Sequence, residues 1–264
     1  MNRAAAIQCF HDYAGHYDTA DPMIRHKIVH TLQVAELSER IALSLRLDDE
    51  DVEFAWLLGL LHDIGRFEQV RRYGTFVDSL SVDHAEFGAD LLFQEGLFDA
   101  FPTADLQPEK RKTAEIAIRL HNKLTLPENL DGKTRMFSHV LRDADKIDIF
   151  RVVAEIPFEE RIGKSHGLLS EAEEASPEVL ECVAGHRCIP RAVRRTVLDG
   201  LIAHACMAFE LVFEESRKLA REQGNLKKLL SATDESGRPR WDAAAAEQLK
   251  AVEKEIETAW NMTL

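Results

Sequence analysis

The chain has 264 residues, with 33 Lys plus Arg against 46 Asp plus Glu, a formal net charge of −13, 11 histidines and 4 cysteines. At 45% apolar residues it can fill a buried core, which excludes an intrinsically disordered chain. The acidic balance excludes a nucleic-acid polymer as main partner, since a phosphate backbone demands a basic footprint, but it tolerates a small anionic substrate at one local cationic site.

The predicted elements are helices throughout. The N-terminal stretch is broken by His11, Asp12 and His16, which speaks against a signal peptide. Asp21-Pro22 is a cap followed by a first-turn proline, and Ile24, Ile28, Leu32 and Ala35 then recur at helical steps toward Ile41 and Leu45. Asp51 to Asp63 is apolar on nearly every side and predicts a buried central helix that ends at Gly65. Its apolar run Ala55–Leu61 is far too short to cross a bilayer, so no membrane association is expected. Further helices are expected over 82–95, 108–122, 134–154, about 176–184, 190–221 and 241–261, the last with a Leu249, Val252, Ile256, Ala259 stripe. Polar, Pro- and Gly-rich breaks fall at 98–107, 123–133, 157–170 and 224–240. No segment alternates as a strand would, so the expectation is one all-α domain: a core over 24–150 and a helical extension over 170–264. The amphipathic C-terminal helix could pack on its own core or on a second copy in a homodimer. Cys9, Cys182, Cys188 and Cys206 form no C-x-x-C pair and read as reduced thiols, which points to the cytoplasm. Cys182 and Cys188 flank His186, but that spacing is odd for zinc and lacks a fourth ligand.

The chemistry lies in HTLQVA (His30), LLGLLHDIGRF (His62, Asp63), DHAEFGADLL (His84), AIRLHNK (His121) and RDADKIDIF (Asp145). These positions are each about a helix and a turn apart, so ligands from separate helices of a bundle can converge on one interior point. A His-Asp pair at the end of so apolar a helix needs a partner, because an unpaired buried carboxylate costs several kcal/mol. A divalent cation supplies the counter-charge. Imidazole and carboxylate without thiolate suit Mn, Fe, Co, Ni, Zn or Mg. Six donors exceed the needs of one open site. They suit two ions bridged by Asp63, with His30, His62 and Asp145 on one and His84 and His121 on the other.

The order H…HD…H…H…D, centred on HDIG, resembles the HD-domain metal-dependent phosphohydrolases, in particular their six-ligand, two-metal branch. The resemblance covers roughly residues 24–150. It implies an all-α bundle, metal ligation by the six residues above, and hydrolysis of a small phosphate mono- or diester, a nucleotide among the candidates, by metal-activated hydroxide. Asp63 and Arg66 would be the catalytic pair, with Arg66 steadying the phosphate beside Lys123 and Lys146. HDIGR stands here where HDIGK is commonest. No G-Y-P follows His121, which argues against a cyclic di-GMP phosphodiesterase, and the HDxxED pattern of guanosine-tetraphosphate hydrolases is absent. The same ligand set also resembles HD-type di-iron oxygenases, which use dioxygen.

The remaining polar residues are read as ordinary. His26 rivals His30 and Asp143 and Asp148 rival Asp145, but the surrounding motifs favour His30 and Asp145. Glu68 and Glu86 are expected to be solvated, and Arg71, Arg72, Tyr73 and Phe76 to lie in a loop over the site. His11, His16, His139, His166, His186 and His204 are assigned to structure or surface.

Overall fold

A computed structural model describes residues 1–155, 174–231, 233, 237 and 240–264. The fold is all-α, without strands among the described residues. The chain divides into two compact units, Met1–Asp145 and Lys146–Leu264.

In the first unit α1 spans Arg3–Ala14, α2 Pro22–Ser44, α3 Asp49–Leu61, α4 Ile64–Tyr73, α5 His84–Ala89 and α6 Pro108–Leu120; α7, Gly132–Glu155, begins in this unit and ends in the next. Helix α2 starts where Asp21 accepts from the Met23 amide and Pro22 occupies the first turn, where a missing N–H costs nothing. It buries Ile24, His30, Thr31, Val34, Ala35, Leu37, Ser38, Ile41 and Ala42 on one side. Helix α3 is capped by Asp48, carries Asp49, Glu50 and Asp51 in its first turn, and is buried from Phe54 to Leu61. The two helices touch backbone to backbone: a Cβ on Gly59 would stand 2.5 Å from the Ala35 Cα.

Helix α3 ends earlier than its apolar run suggests. The chain turns at His62–Asp63 and restarts as α4, so Gly65 lies inside a helix and does not terminate one. The glycine serves close packing: a Cβ there would lie 2.5 Å from the His84 carbonyl oxygen and 2.6 Å from the Gly88 nitrogen. Arg71, Arg72 and Tyr73 close α4 and are not loop residues. Glu68 is buried, contrary to expectation, and its carboxylate accepts from Tyr17, Arg71 and Arg72. Burial opposes its charge, but these donors more than offset that and hold the carboxyl below its ordinary value. The 82–95 helix is realised as α5 followed by a π turn at Asp90–Gln94.

In the second unit, α8 is Pro177–Ala184, α9 Val197–Ala205, α10 Glu214–Gln223, α11 Asn225–Leu230 and α12 Ala243–Trp260. The single helix expected over 190–221 is broken, because Thr196 and Asp199 form a capping box that starts a new helix. Asp199 is fully buried and also accepts from the Ser176 amide and hydroxyl, tying the starts of α8 and α9 together. On α12, Leu249, Val252 and Ile256 are buried as expected, but Trp260, not Ala259, completes the stripe and donates to the Ala208 carbonyl. The expected 157–170 loop and His166 lie outside the described residues, as does part of 224–240. No described helix is long and apolar enough to cross a membrane.

Two stability experiments follow from these contacts. Gly65→Ala should lower unfolding free energy by about 1–3 kcal/mol in urea titration, because two backbones must part to admit the methyl group. Glu68→Gln should cost about 1–3 kcal/mol at pH 7. Glu68 has a depressed pKa in the fold, so its contribution is present above the unfolded-state value and lost as pH falls through the folded one. The gap between variant and wild type should therefore close on acidification below about pH 4.5.

Candidate metal centre

Asp63 sits at the N-cap of α4, where an aspartate normally accepts from the first-turn amides, yet it makes no side-chain cap bond. Its carboxylate is turned inward, 2% exposed, and divides its oxygens between two histidine pairs. Oδ2 lies 3.5 Å from His30 Nε2 and 3.6 Å from His62 Nε2. Oδ1 lies 3.6 Å from His84 Nε2 and 3.8 Å from His121 Nε2, and has no hydrogen-bond partner although buried. Asp145 completes the first group, with Oδ1 3.1 Å from His30 Nε2 and 3.7 Å from His62 Nε2.

The ring orientations follow from local backbone. His62 and His121 each stand directly after a helix, α3 and α6, where the last carbonyls have capacity for further donors. Their Nδ1–H groups donate to Gly59 O at 2.8 Å and Ile118 O at 2.7 Å, which turns both Nε2 atoms inward. Arg142, itself buried on α7, binds the carbonyls of Leu120 and His121 at 3.1 and 3.2 Å and so fixes the end of α6. His84 opens α5, and its Nδ1 donates to Asp78 Oδ2 at 2.6 Å.

This donor set fits divalent cations. With the Nδ1 atoms of His62, His84 and His121 donating to oxygens, their Nε2 atoms carry lone pairs; Nε2 of His84 and His121 lie 3.0 Å apart, and those of His62 and His30 3.3 Å apart. At the His84–His121 contact, burial disfavours the proton that could relieve that crowding. Burial, reinforced by the neighbouring imidazoles, pushes His121 down to about 3, and burial lowers His84 against the pull of Asp78. Burial resists ionisation of Asp63, but Lys27, His62 and Arg66 outweigh it and hold the carboxyl well below its usual range. Asp145 is likewise held down by its bonds to His30 and His62. Burial thus favours neutral imidazoles at His84 and His121, and the two carboxylates are held ionised, the ligand states that a hard or borderline cation requires. His30, His62 and Asp63, then His62, His121 and Asp145, then Asp63, His84 and His121 each place donor atoms within 4.8 Å of one another.

The rivals separate cleanly. His26 is exposed on α2 while His30 is buried. Asp148 pairs with Arg151, and Asp143 is buried rather than solvated. His186 is exposed and pairs with Glu255, and the four cysteines are free thiols. Of the cations expected at the phosphate, Lys123 pairs with Asp83 and Glu86, and Lys146 with Glu210. Arg66 Nη1 is bound to Gln69, the Phe76 carbonyl and Asp78, with Nε 3.7 Å from Asp63 Oδ1. Glu86 meets Arg119 as well as Lys123.

Sequence reasoning missed Lys27, whose Nζ donates to Asp63 Oδ2 at 2.6 Å. Its position one helical turn before His30 on α2 was the available signal. Lys27 and Arg66 thus flank the two oxygens of Asp63, and both lie 5.5 Å from the Phe76 ring. Asp78 and Gln69 were missed because no motif marks them.

Residues 28–152, a little under half of the chain, match the family model described as HD domain. No curated protein and no solved structure gives a significant match.

Asp63→Asn keeps the side chain's shape and removes the charge that both histidine pairs share. Elemental analysis after equilibration with Mn²⁺ or Co²⁺ should show metal content reduced at least about tenfold relative to wild type.

Proposed function

We propose that the protein is a metal-dependent phosphohydrolase that binds two divalent ions and cleaves a small phosphate mono- or diester, with nucleotides the first class to test. The observation that carries this reading is the buried Asp63 carboxylate, one oxygen toward each histidine pair, with a cation on either side. The match of residues 28–152 to the HD domain supports a metal-dependent hydrolase at the coarser level.

His30, His62, Asp63 and Asp145 would hold one ion, and Asp63, His84 and His121 the other. An ion pair of this kind lowers the pKa of water to near neutrality and neutralises charge on a phosphoryl group. The protein's own groups supply the rest. Asp63 and Asp145 provide permanent negative charge, so the loaded centre stays compact. Lys27 and Arg66 bring fixed positive charge to one edge of it, beside Phe76, where an anionic ester finds both charge and an aromatic surface. The buried walls formed by α3 and α7 limit competing water and strengthen each electrostatic contact. With two divalent ions bound, the centre would concentrate positive charge within a protein of net charge −13, which suits a small anion better than a polymer.

The test is turnover of a phosphomonoester, a bis-phosphoester and a nucleotide panel by protein loaded with Mn, Fe, Co, Ni, Zn or Mg. Metal-dependent phosphate release is expected, reduced at least about 10²-fold by Asp63→Asn. Loaded protein that hydrolyses none of these substrates would sink the proposal. Turnover that consumes dioxygen in the iron-loaded protein would replace it with the oxygenase reading.

A further inference from the structure

The three histidines with assigned Nδ1 partners are not held alike. His62 and His121 donate to carbonyls of the helix each one ends, three residues back, so their orientation comes with the helix. His84 instead donates to a carboxylate, Asp78, which lies in a short 3-10 turn at Asp78–Leu80, outside α5. That turn is fastened to α4. Asp78 Oδ1 accepts from Arg66 Nη1 at 2.9 Å and Gln69 Nε2 at 3.0 Å, while its other oxygen accepts a hydrogen bond from His84 Nδ1–H. Gln69 is fully buried, and its amide also reaches Ser81 Oγ at 2.9 Å and the Val82 carbonyl at 3.0 Å. Arg66 adds a bond to the Phe76 carbonyl at 2.7 Å.

Resting on the two-ion reading above, we propose that Asp78, anchored by Gln69, is a positioning residue that governs occupancy of the second ion more than that of the first. Asp78 orients His84, fixes its tautomer and raises the basicity of its Nε2, as a carboxylate behind a ligating histidine does. Asp78 bonds directly to a ligand of the second ion, His84, whereas it reaches the shared Asp63 only through Arg66. The Phe76–Val82 segment therefore carries the difference between a one-ion and a two-ion centre. It also explains the many partners of Arg66: its Nη1 bonds to Phe76 and Asp78 of the strap and to Gln69 that anchors it, while Nε faces Asp63.

The experiment is titration of wild type, Asp78→Ala and Gln69→Leu with Mn²⁺, followed by calorimetry and by electron paramagnetic resonance. Circular dichroism and thermal midpoints check the fold. Wild type should bind two ions and show the signal of an exchange-coupled pair. Asp78→Ala should bind its first ion as wild type does and its second about 10- to 100-fold more weakly, leaving an isolated-ion signal at intermediate Mn²⁺. Gln69→Leu, which leaves Asp78 present but unfastened, should move in the same direction. Two ions at wild-type affinity in both variants, or both ions weakened equally, would overturn the role of the strap. Wild type that binds fewer than two ions would overturn the two-ion reading itself, and this one with it.

Discussion

Everything in the first unit is arranged around one ionised carboxylate that has been taken out of water. An isolated buried Asp63 would cost several kcal/mol, so its surroundings must either neutralise it or supply charge. They supply charge. A lysine, an arginine and four imidazole nitrogens approach it, and none of the helix amides it could have capped does so. The backbone is shaped to permit this. The interruption between α3 and α4 turns the side chain inward, and Gly65 lets α5 come close enough to bring His84 alongside.

Helix ends do much of the remaining work. A helix C-terminus leaves carbonyl capacity to spare, and here two such carbonyls accept from imidazole Nδ1–H groups. One bond thereby closes the helix, selects the tautomer and aims Nε2 at the centre. Stability and ligation are coupled at these two positions. At His84 they are not, because its partner is a carboxylate on a separate turn whose place depends on α4. One side of the centre is thus held by helix ends and the other by a carboxylate on a separate turn.

The outlying charged residues show how burial changes a residue's meaning. Glu68, three residues beyond Gly65, reads in sequence as a solvated acid but is enclosed with Tyr17 and two arginines, and so anchors α4 to α1's end of the unit. Lys123 and Lys146 read as phosphate ligands, and each is paired with a carboxylate in the fold. Lys27, unmarked by any motif, stands against Asp63.

The sequence alone determined the helical class, the apolar α3, the convergence of His30, His62, Asp63, His84, His121 and Asp145, and the capped start of α2. Those features are legible because periodicity, caps and burial of a charged pair are local or depend on residue type. Tertiary structure alone decided where α3 stops, which cations reach Asp63, and what stands behind His84. Gly65 and Asp199 show why: each acts through a neighbour brought close by folding, a backbone at 2.5 Å in one case and the start of another helix in the other. Pairing across such distances leaves no period in the chain, because it depends on how helices pack and not on which residues follow one another.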